Sequence, residues 1–472
     1  MNRVCRLLFA ALGLVFAVLS SALAKPNIVL IYIDDYGWRD VGFNGTKFYE
    51  TPNADRIARE GMIFRSAYSN GPNCAPSRAC LMSGLYSPRH GIYTVANSDR
   101  GKASLRKIIP TKNTTVLADE FVTMAEALKM GGYTTAMMGK WHLGKDPTTQ
   151  GFDINIAGRE WGSPSGGGYH SPYKYPNLVN KQKGEYLTDR LGSEAAKFIE
   201  AHKDKPFFLY LTHYAVHTPI QAKPELTSKY QKKPTVDQQT NAKYAAMIES
   251  MDDSVGTVLE TLDRLKLADN TIVVFYSDNG GHAGATSNAP LRGSKGMLYE
   301  GGIRVPMAVR WPGVAKAGSV CEEPVIGIDL YPTLLEATKT KRPAKAQLDG
   351  TSLVPLLKDA QARLFRPALY WHFPAYLQGS TRRHGPFRTT PAGAVRMGDW
   401  KLIEYFDDGT LELYNLVNDI GETGNLAKQQ PKKTARLHAI LKAWRRATDA
   451  PVPTEMNPRF DPEAWRKATR KR

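Results

Sequence analysis

Four apolar stretches in this chain, at residues 28–33, 133–138, 207–212 and 271–276, each stop at a group of ionisable or amide side chains. Asp34-Asp35 follow the first, Gly139-Lys140-Trp141-His142 the second, His213 and His217 the third, and Ser277-Asp278-Asn279-Gly280-Gly281 the fourth. A strand with one wet face alternates polar and apolar residues, whereas unbroken β-branched and aromatic runs belong to strands covered on both faces of a parallel sheet. Helical patterns lie between them: residues 55–60, with Asn53 as cap and Gly61 as stop, 116–130 before Gly131-Gly132, and 241–267. The alternation predicts an α/β fold with a mostly parallel sheet sandwiched by helices. In such sheets ligands bind where the carboxyl ends of strands converge. The four polar groups are therefore expected to share one site, although any one of them alone reads as a solvated loop.

Past residue 351 the pattern changes. Residues 369–373, 394–397, 400–405 and 411–414 read as short strands separated by turns such as Asp407-Asp408-Gly409, and 437–447 as a helix. A smaller C-terminal α+β subdomain with an antiparallel sheet is predicted over residues 366–472, after a catalytic domain over 25–365. A composition of 42% hydrophobic and 23% charged residues suits a globular core and excludes a disordered or fibrous chain. The stretch Gly162-Ser163-Pro164-Ser165-Gly166-Gly167-Gly168 opens a loop reaching Tyr175 that is expected to be mobile and close to the site.

Residues 1–24 carry Arg3 and Arg6, an apolar run over 7–19, and Ala22-Leu23-Ala24, the small-x-small pattern that signal peptidase accepts. The run is short for a spanning helix. Cleavage after Ala24 and a secreted or periplasmic protein with no stable membrane insertion are expected, with an uncleaved anchor as the alternative. The net charge of +18, or +16 without Arg3 and Arg6, favours polyanionic partners. The basic tail at 466–472 has no helix-turn-helix or finger spacing behind it, so an anionic substrate is favoured over nucleic acid. Of four cysteines, Cys5 falls in the leader, and Cys74, Cys80 and Cys321 remain, an odd number where cysteines normally pair. One thiol is left for burial, for chemistry or for chemical alteration.

Two of these cysteines lie in Cys74-Ala75-Pro76-Ser77-Arg78-Ala79-Cys80-Leu81-Met82-Ser83-Gly84. Pro76 suits the first turn of a helix, which puts Cys74 just before a helix N-terminus, where free N–H groups favour an anion. A lowered thiol pKa, and a plain thiolate nucleophile, is one consequence. The run also resembles the signature of the type I sulfatases, of the alkaline phosphatase superfamily, in which the Cys of C-x-P-S-R is oxidised to formylglycine before export. Gly132-Tyr133-Thr134-Thr135-Ala136-Met137-Met138-Gly139-Lys140-Trp141-His142-Leu143-Gly144 resembles the second signature of that family. Residues 26–37, 277–281 and 291–306 resemble its metal and lysine segments, so the likeness spans residues 26 to about 313. Met82-Ser83-Gly84 stands where the family commonly has Leu-Thr-Gly.

The resemblance implies an alkaline-phosphatase-like fold and an exported Ca²⁺-dependent sulfatase acting on O-sulfated carbohydrate, matured by a formylglycine-generating enzyme. Hydrolysis of a sulfate monoester needs a nucleophile, charge neutralisation on the sulfuryl oxygens and a proton for the leaving alcohol. An aldehyde at position 74 would hydrate to a geminal diol. One hydroxyl attacks sulfur; the other then loses its proton and expels sulfate as the aldehyde re-forms, an exit that a serine ester lacks. Asp34, Asp35, Asp278 and Asn279, with the modified residue 74, form an oxygen-only metal set that suits Ca²⁺, less well Mg²⁺, and not Zn²⁺ or copper. Arg78, one helical turn from Cys74, is assigned to holding the diol and balancing the carboxylates. Lys140 and His142, two apart and on one side of an extended segment, are assigned to a sulfate oxygen and, as base of the elimination, to the diol. His217 is the candidate acid for the leaving oxygen, in contact with substrate, and Lys295 a second sulfate clamp; imidazoles serve either role near neutrality. His282 and His372 are assigned to the sugar pocket, and His213 to structure.

No complete phosphate loop of the G-x-x-x-x-G-K-[ST] form, no H-E-x-x-H, no C-x-x-C and no G-x-S-x-G elbow occurs. Two alternatives stay open. One is a phosphonate or phosphate monoester hydrolase with the same modified nucleophile, against which the oxygen-only ligand set counts. The other is a non-catalytic binder of sulfated glycans in which Cys74 stays a thiol.

Overall fold

In the computed structural model, which describes residues 25–470, the first ten strands are β1 (Asn27–Ile33), β2 (Met62–Phe64), β3 (Ala67–Tyr68), β4 (Thr134–Gly139), β5 (Ile154–Ile156), β6 (Phe207–Thr212), β7 (Thr271–Ser277), β8 (Met307–Arg310), β9 (Ser319–Cys321) and β10 (Val325–Ile326). The leader reading at residues 1–24 lies outside the described residues. β3 and β10 pair with each other, and the other eight strands form one sheet in the order β5-β4-β6-β1-β7-β8-β2-β9. β5, β4, β6, β1 and β7 run parallel, and β8 is antiparallel to both of its neighbours. The four apolar stretches are thus the contiguous centre, β4-β6-β1-β7. Their register is level: Tyr32 pairs with Thr212 on one side and Tyr276 on the other, and Gly139 pairs with Thr212. Level register brings the four polar groups out of the same edge of the sheet.

Both faces of this centre are covered, which is why its strands are apolar throughout. Val29, Ile31 and Ile33 pack with Leu191, Met247 and Val255 from helices Leu187–Ala201 and Ala242–Arg264. Ile28, Leu30 and Tyr32 face the other way, onto Ala79 and Leu128 from helices Cys74–Ser83 and Met124–Met130. Each buried Val, Leu, Ile or Met among them contributes about 1.5–3 kcal/mol by leaving water.

Helix ends differ from expectation where caps decide them. The first long helix is Pro52–Glu60, begun by Thr51 with Pro52 in its first turn. Asn53 lies inside that turn, its Nδ2 donating to Asp252 Oδ2 at 3.0 Å. The helical pattern at 116–130 forms a helix only over Met124–Met130, because Thr123 and Glu126 make a capping box that starts it there. The helical pattern at 241–267 forms helix Ala242–Arg264, capped by Asn241, whose side chain accepts from Tyr244 N at 3.1 Å.

The C-terminal strands are β11 (Leu369–Phe373), β12 (Leu377–Thr381), β13 (Gly385–Thr389), β14 (Ala392–Met397), β15 (Trp400–Tyr405) and β16 (Leu411–Asn415). β11-β14-β15-β16 is an antiparallel sheet, backed by Leu437 and Leu441 of helix Pro431–Ala447, and β12-β13 is a separate hairpin. Buried Lys401, on β15, reaches Glu300 and Glu422, each at 2.9 Å, and ties this sheet to the segment after β7. Cys74, Cys80 and Cys321 are all buried and unpaired. Among the described residues no helix is long and apolar enough to cross a membrane.

Candidate active site

Asp34 and Asp35 leave the end of β1, with Asp35 in the left-handed region at φ +58°. Asp278 N donates to Ile33 O at 3.1 Å, and its own carboxylate accepts from Asp35 N at 3.1 Å, so neighbouring strand ends hold the acids together. Helix Cys74–Ser83 starts here, with Cys74 as its first residue and Asn73 extended before it. Ligand atoms of Asp34, Cys74 and Asp278 lie within 4.8 Å of one another, as do those of Asp34, Asp35 and His217.

Three cations meet these three carboxylates. Lys140 Nζ is 2.6 Å from Asp34 Oδ2, and Lys295 Nζ is 2.7 Å from Asp35 Oδ1. Arg78 donates from Nε and Nη2 to Asp278 Oδ2 at 3.0 and 2.8 Å, and from Nη1 to Lys140 O at 2.8 Å and Thr212 Oγ1 at 2.5 Å. The guanidinium therefore lies against the Asp278 carboxylate, and its bonds run to Asp278, Thr212 and a carbonyl and not to residue 74. His142 sits at φ +66°, so the segment is not extended at that residue; its N donates to Arg159 O at 2.8 Å and its ring packs against Gly162. His217 Nδ1 is 2.6 Å from Thr218 O, and its Nε2 is 3.7 Å from Asp35 Oδ2.

Burial dominates the electrostatics. It pushes the Cys74 thiol up against the opposing pull of Lys140 and Lys295, which overturns the expectation of a thiol made acidic by the helix N-terminus. Burial and then Lys295 push His217 down to about 3, and burial with Lys140 holds His142 well below its ordinary value. These shifts favour the uncharged form of both rings, which accepts a proton; the acid role expected of His217 needs a bound anion to offset burial and the lysines. Burial and the neighbouring Asp34 charge push Asp278 up to about 7. Burial would also raise Asp35, but Lys295, His217 and Lys140 hold it below the usual carboxylate range.

Two oxygens point to a cation. Asp34 Oδ1 and Asn279 Oδ1 are buried and accept no hydrogen bond among the described residues, while Asn279 Nδ2 donates to Asp35 Oδ1 at 2.9 Å. Buried acceptors without donors are costly, and carboxylate plus carboxamide oxygens suit a hard divalent ion. The residues present fit such an ion.

A cavity of about 690 Å³ opens over the site, lined among others by Cys74, His142, His217 and Lys295. Trp161 and Gly162 wall one part, as expected of the glycine-rich loop; Arg100 and Arg388 wall another. Lys140 is fully buried beneath it. His372 does not belong to the sugar pocket: it is buried, with Nε2 2.9 Å from Pro451 O. His282 does not line the cavity either, though Asp35 and Lys295 act on its charge. His213 is buried, with Nε2 3.1 Å from Ser254 Oγ, a structural role as expected. Thr212, Arg100 and Arg388 were not evident in the sequence; only Thr212 carried a local signal, as the last residue of an apolar strand.

Comparison with known proteins agrees with this geometry. The family profile described as Sulfatase matches residues 26–340, and one described as N-sulphoglucosamine sulphohydrolase, C-terminal, matches 294–447. A protein named Sulfatase from Formosa agariphila is 35% identical, covering 91% of this chain and 90% of its own. The N-acetylgalactosamine-6-sulfatase of Mus musculus is 35% identical over 77% of this chain and 72% of its own. The crystal structure of Ps i-CgsB in complex with k-i-k-neocarrahexaose superposes with a TM-score of 0.75 at 30% identity, over 94% of this chain and 97% of that one. The profile over residues 26–340, the relatives at 35% identity and the superposition over nearly the whole chain agree, and the chain belongs to the sulfatase family of sulfuric ester hydrolases, within the alkaline phosphatase superfamily.

Proposed function

We propose that the protein removes O-sulfate groups from a sulfated carbohydrate, with Cys74 oxidised to formylglycine and a Ca²⁺ ion, or less favourably Mg²⁺, held by Asp34, Asp35, Asp278 and Asn279. The observation that carries this reading is the gathering of Cys74, Asp34 and Asp278 within 4.8 Å beside two unsatisfied buried oxygens, under a cavity open to substrate. In its hydrated aldehyde form residue 74 supplies the nucleophilic hydroxyl and the second hydroxyl whose deprotonation releases sulfate. The divalent ion, when bound, supplies positive charge at the sulfuryl oxygens.

The remaining work falls to this chain's own side chains. Arg78 and Lys140, both fully buried, fix Asp278 and Asp34 in place. Lys295 faces the cavity from Asp35 and neutralises a sulfate oxygen there, with Lys140 below it. His142, neutral in the resting site and with Nδ1 free of any partner among the described residues, takes the proton from the diol. Once the bound anion has raised its pKa, His217 takes up a proton from solvent at Nε2, which faces the leaving oxygen, and passes that proton to it. Relatives named for N-acetylgalactosamine 6-sulfate and solved with a carrageenan oligosaccharide support a sugar sulfate as substrate.

Export with cleavage after Ala24, and a formylglycine-generating enzyme as maturation partner, belong to the same reading. Cys74 is only 1% exposed, at the floor of the cavity, which favours oxidation by a maturation enzyme before the chain folds around it. The test is mass spectrometry of the tryptic peptide spanning residues 66–78 from the native host, together with turnover of aryl sulfate and aryl phosphate. A peptide lacking the thiol and reactive with hydrazide, with sulfate released faster than phosphate, is expected. An unmodified Cys74 in fully active protein sinks the proposal, and preference for the phosphate favours the phosphatase alternative.

A further inference from the structure

The cavity carries positive charge that the hydrolysis does not use. Arg100 and Arg388 both line it, both are half-buried, and neither has a carboxylate within ion-pair distance among the described residues. Arg100 Nε donates to Gln378 Oε1 at 2.6 Å and its Nη1 to Val95 O at 3.2 Å; Arg388 Nη1 donates to Lys295 O at 3.4 Å. Each guanidinium has five N–H donors in a planar fork, so both keep unused donors.

The two are held together by the fold. Gln378 lies on β12 opposite Phe387 of β13, next to Arg388, and Asp99 bridges to Tyr376 just before β12. Segment 95–100 and the hairpin therefore form one wall. Burial, then repulsion from Arg388, pulls Arg100 below its ordinary basicity, and burial does the same to Arg388 against the opposing pull of Asp35. Two cations on one cavity wall, neither ion-paired and only Arg388 drawn on by the Asp35 charge, are a cost that a bound anion repays, and the guanidinium fork matches sulfate and carboxylate oxygens.

We propose that Arg100 and Arg388 form a second anion subsite, which selects glycans bearing a further sulfate or carboxylate beside the sulfate that is removed. The inference rests on the sulfatase reading above and extends it to the substrate class: a sugar with one sulfate fills half of the site, a dianionic one fills both. It also gives the C-terminal hairpin a role in specificity, since Arg388 is on β13.

The experiment uses the Cys74→Ala full-length chain, which holds substrate without turning it over, and reads binding by calorimetry. The probes are N-acetylgalactosamine 6-sulfate, its 4,6-disulfate, and the chondroitin 6-sulfate disaccharide, whose second anion is a carboxylate. At least one dianionic probe is expected to bind about tenfold or more tightly than the monosulfate, as for charge-assisted hydrogen bonds. Which one does so tells a sulfate subsite from a carboxylate one. Arg100→Gln and Arg388→Gln should each remove most of that advantage, and Arg388→Lys restore part of it. Equal binding of all three probes, no binding of any, or an advantage untouched in both glutamine variants overturns the subsite. Turnover of 4-nitrophenyl sulfate by the unmutated protein is measured alongside: its absence defeats the sulfatase reading, whereas turnover without a dianion preference defeats only the subsite.

Discussion

Asp34 gives one carboxylate oxygen to Lys140 Nζ at 2.6 Å and leaves the other, Oδ1, buried with no hydrogen-bond donor among the described residues. Lys140 thus fixes the carboxylate while its second oxygen stays available. Asn279 repeats the division, with Nδ2 donating to Asp35 and Oδ1 unpartnered.

If those oxygens await a cation, the folded protein is stabilised by it. Ca²⁺ at about 100 times its Kd should add about 2.7 kcal/mol to unfolding stability, seen as a higher Tm by calorimetry and reversed by chelation. Asn279→Leu removes one ligand and should abolish most of the Ca²⁺-dependent shift and the activity. Identical transitions with and without the ion would falsify the site.

His217 as proton donor makes a prediction about leaving groups. His217→Ala should slow release from a sugar sulfate, whose alcohol needs a proton, by about 10²–10⁴. The loss on 4-nitrophenyl sulfate, whose phenolate leaves unaided, should be much smaller. Equal losses on the two substrates would place His217 in binding and not in proton transfer.

Gly162 backs the ring of His142. A Cβ at Gly162 would lie 2.5 Å from His142 Cε1, so Gly162→Ala has to displace the imidazole or the loop. Activity is expected to fall at least about tenfold with little change in urea midpoint, because the glycine is on a loop. Full activity in this variant would show that the ring position is not critical.

Asp252, on helix Ala242–Arg264, offers a pH dependence of stability. It accepts from Asn53 N and Ala54 N at 2.9 and 2.8 Å, yet burial outweighs these bonds and pushes it up to about 7. The native chain therefore binds more protons than the unfolded one between about 3.8 and about 7. Its stabilising contribution is full below that window and is lost as pH rises through about 7. Asp252→Asn should flatten the decline of the urea midpoint across this range; an unchanged slope would refute the raised pKa.

Much of this was legible without coordinates. Continuous apolar strands can exist only with both faces covered, so residues 28–33, 207–212 and 271–276 dictated a covered parallel sheet, and Asp34, Asp35, Asp278 and Asn279 at their ends announced an edge site. The C-x-P-S-R run named the family because its chemistry is local. Helix starts were less legible: Thr123 and Glu126 override the pattern running back to Val116, since a satisfied cap fixes where a helix begins. Other features depend on residues far apart in the chain. The thiol of Cys74 is raised and not lowered because burial, a property of the packed molecule, outweighs the helix terminus. His372 is withdrawn from the sugar pocket by the carbonyl of Pro451, and Arg100 reaches the site beside Arg388 only because β12 pairs with β13. Periodicity and short motifs encode what a residue does within its own strand or helix; which charges share a cavity follows from the packing of distant segments, to which local pattern carries no signal.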